Sequence, residues 1–240
     1  MTQLEIKDLS IQFSENWIFK HLSVTVNQGE FVSILGPSGC GKSTLLNVLS
    51  GILIADKGQF FVNQQKIVGI NDCFAYMPQE DLLFDWKTVK ENITLYQTIH
   101  KEPIDNALIT HYLTIFGLET TVNRYPDELS GGMRQRVALL RTVLANRDIL
   151  LLDEPFGALD VITRQHLQDW LKKIAKTLNK TIILVTHDID EALYLSDRIL
   201  ILSDKPSHFV ADIDLTAEIQ TREWLANQGA RRHSIFQQLK

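Results

Sequence analysis

A glycine-rich segment, set between an apolar strand pattern and an apolar helix pattern, constrains the fold of this chain more than any other feature. Residues 36 to 44 read GPSGCGKST and directly follow the apolar run Phe31 to Leu35. Glycines in such a loop permit backbone angles that turn successive N–H groups toward phosphate oxygens. The helix that begins near Ser43 adds the positive end of its dipole. This strand–loop–helix order therefore predicts a phosphate-binding loop in an α/β sheet.

The loop contains the full GxxxxGKS pattern, in which Lys42 reaches the β- and γ-phosphates of a nucleotide and the Ser43 hydroxyl ligates Mg²⁺. Eight constrained positions in this context favour the phosphate site over a turn that only joins a strand to a helix. Cys40 is interpreted as a small loop residue, because nothing near it in sequence supplies a base that would activate a nucleophile. The residues expected to hold the nucleotide are Gly36, Pro37, Ser38, Gly39, Cys40, Gly41, Lys42, Ser43 and Thr44.

A second apolar run, ILLLDEP at 149 to 155, ends in two carboxylates. A buried strand delivers Asp153 to the carboxyl edge of the sheet beside the phosphate loop, where it can hold Mg²⁺ through water. Glu154 would face the γ-phosphate and polarise the attacking water. Acidic residues also end strands as solvated caps, so this pattern alone is weak evidence for a catalytic site. Together with the glycine-rich loop it becomes strong evidence.

The remaining pattern predicts an α/β fold with a P-loop NTPase core, a mixed sheet and an inserted helical subdomain. Apolar residues recur at helical spacing over 104 to 116 and over 162 to 178, and a further short apolar strand follows at 181 to 185. We predict a single domain over residues 1–240. Its core covers 1–79 and 146–214, its helical subdomain about 80–145, and one C-terminal helix about 215–240.

Composition narrows the function classes. The formal net charge of -5 gives no electrostatic case for nucleic-acid binding. Cys40 and Cys73 fit no paired metal spacing and suit a reducing compartment. The N-terminus has no signal-peptide pattern, and no apolar run approaches the ~20 residues that cross a bilayer. We therefore expect the chain to act on a membrane only through a partner.

Five ordered motifs together resemble the ABC ATPase family. They are the phosphate loop at 36 to 44, Gln79 within MPQ, LSGG at 129 to 132, DEP with ALD at 153 to 160, and His187 within VTHD. The resemblance covers nearly the whole chain and implies ATP and Mg²⁺ as ligands and ATP hydrolysis as the activity. It implies that the LSGG helix start, which includes Ser130, Gly131, Gly132 and Met133, points at the nucleotide held by a second copy. Two copies would then close head-to-tail around two ATP molecules.

The family also suggests roles for single residues. Gln79 would contact Mg²⁺ and the attacking water, so that Ser43, Gln79 and Asp153 form the metal set. His187 would contact the γ-phosphate, and Asp160 would pass information across the dimer. Phe13 resembles the aromatic residue that stacks on adenine, with Trp17 as a nearby competitor and a core role for Phe13 as the alternative.

Within the family, the segments PFGALD, VTHDIDEALYLSDRI and MPQEDLLFDWKTVKENI look most like importers of nitrate, aliphatic sulfonates, taurine and the pyrimidine precursor of thiamine. The resemblance implies integral membrane permease subunits that contact residues at about 80–90. The apolar side chains Leu82, Leu83, Phe84 and Trp86 would receive a short permease helix there, unless they are local core. A solute-binding protein would act indirectly, and the chain would lie at the cytoplasmic face of the inner membrane. Asp85 departs from this group, which commonly has proline at that position.

Two alternatives stay open. One keeps the ATPase without a permease, as in ABC proteins of iron–sulfur assembly. The other is a scaffold that binds ATP without hydrolysing it, which would need Glu154 or His187 to be missing, and both are present.

Overall fold

The computed structural model describes residues 2–240, which form two sheets and a largely helical middle segment. The strands are β1 Thr2–Phe13, β2 Asn16–Asn27, β3 Phe31–Leu35, β4 Lys57–Val62, β5 Gln65–Ile67, β6 Phe74–Met77, β7 Ile149–Asp153, β8 Thr181–Val185, β9 Arg198–Leu202 and β10 Phe209–Asp214. The helices are α1 Lys42–Leu49, α2 Val89–Ile93, α3 Leu95–His100, α4 Asn106–Ile115, α5 Gly131–Leu144, α6 Val161–Thr177, α7 Ile189–Leu195, α8 Arg222–Ala226 and α9 Gly229–Gln238.

The larger sheet has six strands in the order β10-β9-β3-β8-β7-β6, and all neighbours are parallel except β10 and β9. Every residue of β3, β7 and β8 is buried, because apolar side chains leave alternate faces of these strands into two separate cores. In β7, for example, Leu150 and Leu152 lie in one core and Ile149 and Leu151 in the other. The predicted α/β fold with a mixed sheet is confirmed.

Parallel pairing brings the carboxyl ends of three strands to one edge. Val185 of β8 is paired with Ile34 of β3 on one side and with Asp153 of β7 on the other. The segments after these strands therefore leave the sheet side by side. They are the glycine-rich loop, the acidic segment that begins at Glu154, and the turn that holds His187.

The smaller sheet is antiparallel, in the order β2-β1-β4-β5. Its apolar face shares a core with α1 and with one face of the larger sheet. Ile18 and Phe19 of β2 belong to this core and lie against the glycine-rich loop.

No strand occurs between β6 and β7, a segment that contains α2 to α5. The longest of these helices, α5, is buried over most of its length and packs on α2, α3 and β6. The extent of a separate helical subdomain at about 80–145 stays a prediction.

The prediction of one C-terminal helix over about 215–240 is wrong, because the segment contains two short helices. Thr221 caps the start of α8, where its hydroxyl accepts a hydrogen bond from Trp224 N. Two side chains then end α8 by donating to its carbonyls: Asn227 Nδ2 to Glu223 O and Gln228 Nε2 to Trp224 O. Because asparagine and Gly229 also have low helix propensity, the chain turns there before α9 begins.

Across residues 2–240, no helix has both the length and the apolar character needed to span a bilayer.

Candidate nucleotide site

The glycine-rich loop is packed so closely that two of its positions have no room for a side chain. At Gly41, a Cβ atom would lie 2.5 Å from Ile18 Cγ2 and 2.9 Å from Phe19 Cζ, and φ is 111°. At Gly36, a Cβ atom would lie 2.7 Å from Cys40 Sγ. The strand–loop–helix pattern thus forms a tight backbone turn whose shape glycine allows, and such a turn can direct N–H groups at an anion.

Lys42 begins α1 and lies across the loop rather than in solvent. Its side chain is buried, and Nζ donates to the carbonyl oxygens of Gly36, at 2.8 Å, and Pro37, at 2.9 Å. A buried ammonium over a loop of backbone dipoles is suited to bind a phosphate group.

Cys40 is buried beneath the loop, where Ser207 donates its hydroxyl to the Cys40 carbonyl oxygen. Burial raises the pKa of the Cys40 thiol, and the nearby charge of Lys42 only partly opposes this. A protonated thiol is a poor nucleophile, which agrees with the interpretation of Cys40 as a loop residue.

Asp153 ends β7 and is only 2% exposed. The pKa of its carboxyl group is raised, mainly by burial and further by the charge of Glu154, whereas Ser43 and Lys42 oppose this only in part. The hydroxyl of Ser43, the carboxylate of Asp153 and the side-chain carbonyl of Gln79 are hard oxygen donors of the kind that Mg²⁺ prefers. The donor set therefore fits the ion that the sequence predicts.

Glu154 lies between the two other residues predicted to be catalytic. Gln79 Nε2 is 3.4 Å from Glu154 Oε2, and His187 Nδ1 is 3.1 Å from Glu154 Oε1. The backbone of Glu154 has a positive φ of 48°, and its N–H donates to Val185 O of the neighbouring strand at 2.9 Å. Holding a non-glycine residue in the left-handed region of backbone angles costs free energy, and residues held there are frequent at functional sites.

The LSGG segment lies elsewhere on this chain. Ser130 caps α5 by accepting a hydrogen bond from Met133 N at 3.3 Å, and a Cβ at Gly132 would approach Ala158 O at 3.1 Å. Among residues 2–240, no hydrogen bond joins residues 130–133 to the glycine-rich loop. The exposed start of α5 is thus free to face a ligand outside its own loop.

Phe13, Trp17 and Asp160 are the remaining residues that the sequence predicts to act at the site. Phe13, at the end of β1, is half-exposed, and Trp17 follows in β2 directly before Ile18 and Phe19, the residues that touch Gly41. Asp160 caps α6 by accepting from Thr163 N at 3.0 Å. Stacking of Phe13 on adenine and signalling by Asp160 stay predictions.

Side chains of α5 that the motifs did not single out form hydrogen bonds with the segments around the site. Gln135 of α5 donates to Glu154 O at 3.0 Å. Arg141 donates to Asp81 O at 2.7 Å and Leu82 O at 2.8 Å, and Arg134 Nε donates to the Asp81 carboxylate at 3.0 Å. Arg134 and Arg141 are seven residues apart, so they share one face of the helix. That spacing was the available signal in the sequence.

A protein-family model described as ABC transporter matches residues 19–157, more than half of the chain. The chain belongs to the ABC transporter family. It is an ATP-binding ATPase of the cassette type, as the sequence predicts.

Curated relatives extend the similarity over most of the chain. The aliphatic sulfonates import ATP-binding protein of Bacillus licheniformis is 44% identical over 82% of this chain and 78% of its own length. The taurine import ATP-binding protein of Roseobacter denitrificans is 35% identical over 98% and 93%. The formylaminopyrimidine import ATP-binding protein of Halalkalibacterium halodurans is 39% identical over 94% and 91%. These relatives fall in the group that the sequence motifs resemble.

Solved structures agree with the fold. The dimeric structure of a bacterial ABC transporter cassette superposes with a TM-score of 0.80 at 29% identity, over 88% of this chain and 98% of that one. A second dimeric structure, of a post-hydrolysis state bound to ADP and Pi, superposes with a TM-score of 0.79 at 28% identity and the same coverage.

Proposed function

We propose that the chain is the ATP-hydrolysing subunit of an importer, and that Glu154 activates the attacking water. The observation that carries this proposal is the position of the Glu154 carboxylate, which both Gln79 and His187 approach at the edge of the sheet that also holds the phosphate loop. A carboxylate oriented from two sides can accept a proton from water, while His187 remains 69% exposed and able to reach a phosphate.

The loop and its helix bind the triphosphate, and Lys42 moves its ammonium from the loop carbonyls to the phosphate oxygens. Ser43, Asp153 and Gln79 would hold Mg²⁺, which would supply charge stabilisation for the leaving phosphate oxygens. Catalysis is then mainly positioning plus electrostatic stabilisation of the transition state.

The pocket is completed by a second copy. The N-terminus of α5 is exposed at Ser130 and Gly131 and does not bond the loop of its own chain, so its N–H groups are available to the nucleotide of a partner. Support comes from the dimeric cassettes that superpose on this chain. Closure around two ATP molecules would then bring the helical subdomains, at about 80–145, toward each other.

Permease subunits dock on residues 80–90. Leu82 and Trp86 are 58% and 71% exposed, whereas Leu83 packs against the core. Their loop is nevertheless held firmly: Arg141 binds two of its carbonyls, Asn92 exchanges hydrogen bonds with the backbone of Phe84, and Leu82 has a strained φ of 42°. Exposed apolar side chains on a fixed loop suit a protein partner.

The relatives are named for the import of aliphatic sulfonates, taurine and formylaminopyrimidine. The solute of this importer would be one of these compounds or nitrate, which the same group of importers transports. The subunit would work peripherally at the cytoplasmic face of the inner membrane, and a solute-binding protein would select the solute.

Glu154→Gln tests the catalytic assignment. This variant should bind ATP with unchanged affinity, hydrolyse it at least about a hundredfold more slowly, and accumulate as a dimer with ATP, because binding no longer leads to turnover. ATP affinity, phosphate release and size-exclusion chromatography measure these properties. Glu223→Gln, an exposed change in α8, is the control and should behave as wild type. Ready turnover by Glu154→Gln would defeat the assignment.

Leu82→Ala combined with Trp86→Ala tests the docking surface. The double variant should lose co-purification with a multispanning membrane permease while it retains ATP binding. Ile219→Ala removes an apolar side chain that is even more exposed and lies outside residues 80–90, and it should keep the complex. Recovery of a soluble scaffold complex instead of a multispanning permease would favour the iron–sulfur assembly alternative.

A further inference from the structure

We propose that Thr186, Glu191 and Gln168 form a buried relay through which Arg222 of the C-terminal segment positions His187. The proposal rests on the role given above to His187 and assigns it a set of positioning residues. Thr186 and Glu191 line a small cavity together with Glu154 and His187. Among residues 2–240, neither the three relay residues nor Arg222 forms a hydrogen bond with the glycine-rich loop, Gln79 or Glu154.

The relay begins at the residue before His187. Thr186 is 1% exposed, and its hydroxyl group donates to Glu191 Oε2 at 2.7 Å. The Thr186 hydroxyl oxygen in turn accepts a hydrogen bond from Asp188 N at 3.0 Å. Both neighbours of His187 in the chain are therefore held by one hydroxyl group. His187 itself is exposed, so its position depends on this backbone anchor more than on packing of its ring.

Glu191 carries the connection to α6. It is 6% exposed, and its other oxygen, Oε1, accepts from Gln168 Nε2 at 3.2 Å. Each carboxylate oxygen thus has a donor of its own. Removing one donor would leave a buried acceptor without a partner, which is costly and would allow the turn at His187 to shift.

Arg222 sets the orientation of the Gln168 amide. Its Nη1 donates to Gln168 Oε1 at 3.1 Å, and a guanidinium group can only donate. The amide oxygen of Gln168 therefore faces Arg222, and its NH₂ group faces Glu191. Without Arg222, the amide could turn over and present its oxygen to the carboxylate.

Arg222 is itself held firmly. Its Nη2 donates to Asp169 Oδ1 at 2.7 Å, and its guanidinium lies 3.7 Å from the centroid of the Tyr194 ring. A second link joins the same segment to the helix that holds Glu191, because Arg232 Nε donates to the carboxylate of Asp190. Helices α8 and α9 are thus fastened to α6 and α7 beside the relay. The C-terminal segment thereby acquires a role in hydrolysis besides packing.

The test uses steady-state ATP hydrolysis by the full chain. Gln168→Ala and Arg222→Gln should each lower kcat about tenfold and leave KM for ATP unchanged, because a misplaced group affects the transition state more than ground-state binding. The double variant should be no slower than Gln168→Ala, since both changes break the same path. Arg231→Gln is the matched control: it removes another C-terminal arginine, which pairs with Glu218 outside the relay, and should leave kcat unchanged.

Thr186 supplies a second test that does not depend on the C-terminal helices remaining folded. Thr186→Ser keeps the hydroxyl group and should keep kcat, whereas the isosteric Thr186→Val should lose about tenfold. Unchanged kcat in Gln168→Ala or Thr186→Val would overturn the proposal. A double variant whose loss is the product of the two single losses would overturn it too, because the effects would then be independent.

His187→Ala separates this proposal from the proposed function. If His187→Ala still turns over normally, the role of His187 is wrong. If it does not turn over while Gln168→Ala keeps its kcat, only the relay is wrong.

Discussion

Replacing Gly41 with alanine should destabilise the protein far more than the same change two residues earlier. The added Cβ would meet Ile18 Cγ2 at 2.5 Å and Phe19 Cζ at 2.9 Å, both in a close-packed core. Overpacking of this kind costs about 1–3 kcal/mol. A φ of 111° adds about 1–3 kcal/mol for a residue with a side chain. The expected loss is about 2–6 kcal/mol, out of a typical total of about 5–15 kcal/mol.

Gly39 provides the comparison, because its φ is 78° and a Cβ there would meet nothing within 4 Å. Gly39→Ala should therefore cost only the backbone term, about 1–2 kcal/mol. Urea denaturation without nucleotide measures both changes, and the slope m should stay constant. Equal losses in the two variants would show that the contacts with Ile18 and Phe19 do not constrain the loop.

Two further perturbations have defined outcomes. Arg141→Gln should cost about 2 kcal/mol in urea denaturation, because it removes charge-assisted hydrogen bonds to Asp81 O and Leu82 O, and Arg141→Lys should recover part of the loss. For Glu191, burial raises the pKa to about 7, above its unfolded value, so the folded state binds the proton more tightly. As the pH falls from 8 to 4.5, protonation of this group should raise the free energy of unfolding of the wild type by up to about 3 kcal/mol. Glu191→Gln should lack that increase. If the free energy of unfolding changed with pH in the same way in both proteins, this prediction would be contradicted.

The motifs of the candidate nucleotide site could be recognised in the sequence, because each depends on the chemistry of a few neighbouring residues. GPSGCGKST needs only a strand before it and a helix after it, and β3 and α1 are found there. Asp153 was predicted at the end of a buried strand, and it ends β7 with all five residues buried. The fold class followed from the same short apolar runs.

Local patterns were less informative in the C-terminal segment, where the helices are short and rich in polar residues. The periodicity over 215–240 indicated one helix, but side-chain donors at Asn227 and Gln228 end α8 early. Competition between side chains and the helix backbone is decided by individual hydrogen bonds, and spacing of apolar residues does not reveal it.

The sequence by itself determined which groups are candidates for the site: a phosphate loop, two carboxylates, a glutamine and a histidine. Only the tertiary structure decided that Glu154 lies 3.4 Å from a glutamine 75 residues away and 3.1 Å from His187. It also joined Gln168 to Glu191 and Arg141 to the loop at Leu82. The physical reason is that such contacts depend on strand order and on the packing of helices over the sheet. Those arrangements depend on the whole core, whereas a motif depends on its immediate neighbours.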